Sequence, residues 1–77
     1  MLTNYSNNRI VSITGLCMFS AISRIVVLQD PRGYLFPLIT VEFPASIFVP
    51  GKVYTCKIRS SKLYPNMMEI VSYKVHP

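Results

Sequence analysis

Acidic side chains are scarce in this chain. Only Asp30, Glu42 and Glu69 stand against eight lysines and arginines, giving a net charge of +5 at pH 7. Tryptophan is absent and histidine occurs once. Each shortage removes a class of chemistry. Gly15, Gly33 and Gly51 are isolated, so there is no glycine-rich loop to cradle a phosphate. His76 cannot join the two distant cysteines in a metal site of usual spacing, and it reads as a solvated tail residue. No residue set offers a nucleophile, a base and an orienting third group. We therefore expect no enzyme, no metal and no cofactor. Secreted mini-domains usually carry four or more cysteines. Cys17 and Cys56 lie among apolar neighbours and read as free, buried thiols of a reducing cytosol. A bridge between them stays open at this point.

Of the 77 residues 51% are hydrophobic and 14% charged, which excludes a disordered tail. A domain of this length buries only about 60% of its extended-chain surface, leaving little room for a deep cleft. So apolar a small chain also suggests a second copy covering part of it. The positive excess points to a polyanion, either nucleic acid or an anionic membrane. The run Ile10–Leu28 follows Arg9 and holds one charge, Arg24, so it resembles a signal or spanning segment at first sight. Ser12, Thr14, Gly15, Ser20 and Ser23 interrupt it. Arginine costs roughly 2.5–3.5 kcal/mol at the centre of a spanning helix. We expect no membrane partner.

Residues 1–8 are polar and read as a loose segment; residues 9–77 form one domain. Period-two alternation marks half-buried strands. In Lys52–Arg59, Tyr54, Cys56 and Ile58 fall on one face and Thr55, Lys57 and Arg59 on the other. In Tyr34–Phe43, Leu35, Ile39, Val41 and Phe43 are expected inward; Tyr34, Phe36, Leu38, Thr40 and Glu42 are expected outward. In Glu69–Val75, Val71, Tyr73 and Val75 are expected inward, Ser72 and Lys74 outward. Arg9–Phe19 and Arg24–Gln29 are two further β-rich runs. Asp30-Pro31-Arg32-Gly33 suits a type I turn and makes Arg24–Gln29 and Tyr34–Phe43 a hairpin. Pro50-Gly51 opens the strand that follows. Residues 60–67 make a second hairpin around Tyr64-Pro65-Asn66, and Pro44–Val49 suits a short helical turn or a loop. Five short strands predict an all-β fold, a small five-stranded OB-like barrel. An SH3-like barrel is the competitor, which strand count alone does not separate.

Single-stranded nucleic acid is held by cations along a groove and by exposed rings that stack on bases. Arg24, Arg32, Lys57, Arg59, Lys62 and Lys74 are candidate phosphate contacts. Tyr34 and Tyr64 are candidate stacking rings, and Tyr54 and Tyr73 read as structural. Acids are expected only as local neutralisers, with Glu42 and Glu69 beside lysines.

Phe36-Pro37-Leu38, then Pro50-Gly51-Lys52 leading into Tyr54-Thr55, then Ser60 and Lys62 ahead of a hairpin tip and a closing strand, resemble the single-stranded DNA-binding proteins of filamentous bacteriophages, the gene V protein type. The resemblance covers roughly residues 25–77, and its motifs are short. It implies a five-stranded OB-like barrel, a homodimer, and cooperative, largely sequence-independent coating of viral replication intermediates in the host cytoplasm. It also implies that Phe36 lies where neighbouring dimers meet, that Lys62 and Lys74 lie near phosphates, and that a ring at the later hairpin tip stacks on bases. Asn66 falls at that tip position and Tyr64 is the nearest ring. The family's first hairpin is commonly a basic wing, whereas here Thr14–Arg24 reads TGLCMFSAISR with one cation. Two other readings of the residues stay open. One is an interaction module docking on a larger partner through its apolar surface. The other is RNA in place of DNA.

Overall fold

Alternating side chains on short strands, separated by Pro, Gly and Asp, close here into a ring. The computed structural model describes residues 9–20 and 24–77. The expected loose segment 1–8, and Ala21–Ser23 of the first connection, lie outside the described residues. The strands are β1 (Val11–Ser20), β2 (Ile25–Gln29), β3 (Leu35–Thr40), β4 (Val53–Ser60) and β5 (Met68–Val75), with one 3-10 turn at Ala45–Ile47. They form a closed barrel in the order β1-β2-β3-β5-β4. β3 and β5 run parallel, and β1 closes the ring against β4. This is the OB-like arrangement, not a simple meander.

β1 is the shared strand. Val11–Leu16 pairs with β4 and Leu16–Ser20 with β2. The changeover demands a glycine. A Cβ at Gly15 would lie 2.9 Å from the Gln29 carbonyl oxygen and 3.1 Å from Leu28 Cβ. The first hairpin turn forms as its residues dictate. Asp30 Oδ1 accepts hydrogen bonds from the Arg32 and Tyr34 amides at 3.0 and 2.9 Å, and the Gly33 amide donates to the Asp30 carbonyl. Gly33 takes a positive φ of 95°, at no steric cost to a residue without a Cβ.

The core holds Cys17, Val26, Leu28, Leu38, Phe48, Tyr54, Cys56, Ile58 and Ile70. The 3-10 turn delivers Ala45 and Phe48 into one end of the barrel. There Phe48 packs against Tyr54 and Tyr73, with ring centroids 4.9 and 5.1 Å apart. The buried Tyr54 hydroxyl accepts from the Val49 amide at 2.8 Å and donates to the Ile47 carbonyl. Cys17 and Cys56 are buried and unbridged. Burial, with Cys17 beside it, pushes the Cys56 thiol up to about 11.

Two expected faces are corrected. On β3, Leu38 and Thr40 point inward and are buried, Phe36 packs partly on the core, and Leu35 is 58% exposed. The face bearing Phe36, Leu38 and Thr40 is thus the inner one, while Ile39 is also buried and Phe43 packs on the core, as expected of them. β3 is apolar on both sides, so its alternation carries no direction, and the polar residue that seemed to mark the outside, Thr40, is an inner one. On β5 the register with β4 shifts between Lys57 and Ile58, so that Ile58 faces Ile70 while Lys57 faces Ser72. Val71 is the extra residue of this β-bulge, and Ile70 takes the core place expected for Val71. Tyr73 stays opposite Cys56 but lies at the barrel's end, 44% exposed.

Candidate nucleic-acid interface

The outer side of the β4–β5 hairpin collects cations and hydroxyls. Lys57 faces Ser72 across the ladder, and Thr55 faces Lys74. Lys57 and Lys74 are therefore diagonal neighbours, a spacing of roughly 7–8 Å between backbones. On the far side of β4, Lys57 faces Ser12 of β1, and Thr55 faces Thr14. Thr14 and Thr55 join their hydroxyls at 2.8 Å, and Thr55 Oγ1 meets His76 Nε2 at 2.6 Å. The His76 amide also donates to the Val53 carbonyl, which extends the ladder past β5. His76 is exposed, as expected of a solvated tail residue, and its ring is in addition tied to this face.

Arg59 continues the line two residues beyond Lys57, but its charge is engaged. It donates from Nε and Nη2 to Glu69 Oε2, at 3.3 and 3.1 Å. Glu69 is only 8% exposed and sits opposite Arg59 in register, so its partner is this arginine and not a lysine. Past Ser60 the chain turns through a loop built on Ser61, whose Oγ accepts the amides of Leu63 and Tyr64. The Met67 amide donates to the Tyr64 carbonyl. That scaffold leaves Lys62 exposed and holds Leu63 and Tyr64 outward, 66% and 50% exposed.

The remaining candidates reach the same side from the two ends of the β2–β3 hairpin. Arg24 stands one residue before Ile25, which begins the cross-strand row Ile25–Ile39–Glu69–Arg59. Its φ is +72°, and its Nη1 donates to the Val41 carbonyl at 3.2 Å. Arg32 and Tyr34 lie at the opposite end. Arg32 bonds Asp30 Oδ2 at 3.1 Å and places its guanidinium 5.0 Å from the centroid of the Tyr34 ring, a cation–π contact. Tyr34 is 61% exposed. The turn overhangs β1. Ser12, Thr14, Asp30, Arg32 and Phe36 line a shallow hollow of about 440 Å³.

The structure thus gathers Lys57, Lys74, Lys62 and Tyr64 on one hairpin, brings Arg24 and Arg32 to its flanks, and pairs Arg32 and Arg59 with acids. Sequence reading missed Ser12, Thr14 and Leu63, and it placed Thr55 and Ser72 outward and His76 in the tail without naming them as part of this face. The alternation of Val11, Ser12, Ile13 and Thr14 carried the signal for the first two. Among the described residues no cluster of His, Cys, Asp and Glu has the makings of a metal site, and no helix is long and apolar enough to cross a membrane.

The other outer face differs in kind. Leu16, Phe19, Val27, Leu35 and Pro37 point outward on β1, β2 and β3, with Met18 in a β1 irregularity between Cys17 and Phe19. Phe19 is 49% exposed. Gln29 is the polar residue among them and is turned to the Gly33 carbonyl. No protein-family model matches this chain, and no curated protein sequence matches it.

Proposed function

We propose that this protein binds single-stranded nucleic acid without sequence specificity, as a coating protein of the kind the gene V resemblance implies. The observation that carries the reading is the β4–β5 hairpin. It combines cations at Lys57, Lys62 and Lys74 that have no ion pair among the described residues, hydroxyls at Thr55 and Ser72, and an exposed ring at Tyr64, with its one carboxylate, Glu69, already taken by Arg59. Cations neutralise phosphates and release counterions, while the Tyr64 ring stacks on bases. Arg24, Arg32 and Tyr34 extend the track at its flanks. Under this reading a second copy of the chain covers the apolar β1–β2–β3 face, and the molecule works as a homodimer in the host cytoplasm. Phe36 offers a neighbouring dimer only the part of its ring that lines the hollow.

The test is a fluorescence-anisotropy titration of labelled oligo-dT and of a matched duplex at two salt concentrations. With about four phosphates neutralised per chain, the log–log salt slope is expected near −3, at about 0.7 per phosphate for single strands. Tyr64→Ala should weaken binding by about 1–3 kcal/mol and leave the melting temperature unchanged. Repeating the titration with oligo-U tells RNA from DNA. A second reading rests on the apolar face itself: an interaction module docking there onto a larger partner. Absence of oligo-dT binding at low salt would move the assignment to that reading.

A further inference from the structure

The chain Thr14–Thr55–His76 is a run of three hydrogen-bonding groups on the outer face, ending beside the hollow that Thr14 shares with Ser12 and Arg32. Each hydroxyl has one hydrogen to give, so the run has a direction. A neutral imidazole with its hydrogen on Nδ1 accepts at Nε2. Thr55 then donates to the ring, and Thr14 donates to Thr55. The Thr14 hydrogen is used inside the run, and an approaching anion meets only oxygen lone pairs. The other neutral tautomer permits the reverse direction. A protonated imidazole fixes the first link: Nε2–H donates to Thr55 Oγ1, the Thr55 hydrogen is released for donation to Thr14 Oγ1, and the Thr14 hydrogen can then point into the hollow. A solvent proton bonds to Nε2 and two hydroxyls rotate; no other covalent bond is made or broken.

We propose that Thr14, Thr55 and His76 form a phosphate-oxygen site in which protonation of His76 frees the Thr14 hydroxyl to donate outward. The inference deepens the nucleic-acid reading by naming a phosphate contact and its regulation, and it rests on that reading for its ligand. The surroundings suit an anion. Lys74 lies two residues before His76, Lys57 and Lys52 lie along and just ahead of β4, and Arg32 lines the hollow. Among the described residues the acid lining the hollow is Asp30, already bonded to Arg32. Protonation therefore adds a charge and a donor together on a face with few acids.

The experiment is oligo-dT binding by the full chain at fixed ionic strength from pH 5.5 to 8, with His76→Gln, Thr14→Val and Thr14→Ser. Wild type should bind about tenfold tighter at the acid end, the scale of one hydrogen bond to a charged group. His76→Gln should be flat. Thr14→Val should keep only the part due to the ring's charge, and Thr14→Ser should behave as wild type. In parallel, inorganic phosphate titrated into the protein should move the His76 ring and Thr14 amide resonances at pH 5.5 and not at pH 8. Oligo-dT binding with the same pH profile in wild type and His76→Gln overturns this inference and leaves the coating function standing. Equal profiles for Thr14→Val and wild type overturn the relay. Phosphate shifts without any oligo-dT binding would sustain the site and sink the nucleic-acid reading.

Discussion

Thr14 and Leu16 stand two residues apart on the outer side of β1 and open onto different surfaces. Toward β4 and β5 the outer side chains are Ser12, Thr14, Thr55, Lys57, Ser72 and Lys74. Toward β2 and β3 they are Leu16, Phe19, Val27, Leu35 and Pro37. One strand serves both because it changes partner at Leu16. The division separates two kinds of binding energy. Hydroxyls and ammonium groups suit an anion that keeps much of its water. An uncharged face of large side chains gains only by losing water, at roughly 25 cal/mol per Å² of apolar area. A small barrel with both faces can hold a polyanion on one side and a protein surface on the other without the two competing.

Gly15 marks the boundary, and breaking it should have the largest effect. Gly15→Val would push side-chain carbons onto the Gln29 carbonyl and Leu28, and backbone gives way poorly. We expect a loss of about 1–3 kcal/mol, the range for overpacking, read from urea denaturation. A variant as stable as wild type would show that β1 and β2 do not approach so closely.

The two faces are next separated by charge. Lys57→Ala with Lys74→Ala should flatten the oligo-dT salt slope by about 1.4, at about 0.7 per phosphate, with the melting temperature and oligomeric state unchanged. Phe19→Lys with Leu35→Lys should do the opposite. Sedimentation should show the loss of the homodimer proposed above, while the affinity of each chain for a short oligo-dT is kept. Equal loss of DNA affinity in both double variants would mean that the two faces are one functional surface.

Arg59 lies on the cationic line and yet serves the fold. Arg59→Ala leaves the nearly buried Glu69 carboxylate without its two charged hydrogen bonds. The cost should be near the lower end of the about 1.5–3 kcal/mol typical of bonds to charged groups, because the guanidinium is partly in water. Arg59→Ala should change the salt slope less than Lys57→Ala does. The reverse order would place Arg59 among the phosphate contacts and Glu69 outside them.

What could be read in advance follows from the same division. β4 was legible because its inner residues are apolar and its outer ones polar, the condition under which alternation has a sign. The turn at Asp30–Gly33 was legible because Asp, Pro and Gly each have one conformational task there. β3 was not, because Leu35 and Pro37 on its outer side belong to the apolar face, so its two sides look alike. β5 was misread by one residue where the bulge at Val71 changes parity, and a bulge leaves no local mark in composition. Cations were found individually, but their pairing depends on cross-strand neighbours. The hairpin expected over residues 60–67 brings Arg59 near Glu69, but it does not fix the register that sets the two directly opposite.

Asp30 offers the smallest and sharpest test, since it sits where the hairpin turn overhangs the cationic side. Asp30→Asn keeps the side-chain oxygen that accepts the Arg32 and Tyr34 amides, so the turn should hold. It removes the carboxylate that occupies the Arg32 guanidinium. If Arg32 lies within reach of the phosphates, the oligo-dT salt slope should steepen by about 0.7. Acid should act the same way. Desolvation raises the Asp30 carboxyl, but bonds from the Tyr34 amide and from Arg32 together outweigh it and hold the group below its usual range. A depressed value in the folded state gives stability that is present above the unfolded value of about 3.9 and is lost as pH falls through the lower folded one. Proton titration of the Asp30 carboxyl by NMR should therefore show a midpoint below 3.9, with Arg32 released only beneath it. A slope unchanged in Asp30→Asn would leave Arg32 and Tyr34 as parts of the turn alone, and would confine the nucleic-acid track to the β4–β5 hairpin and its tip.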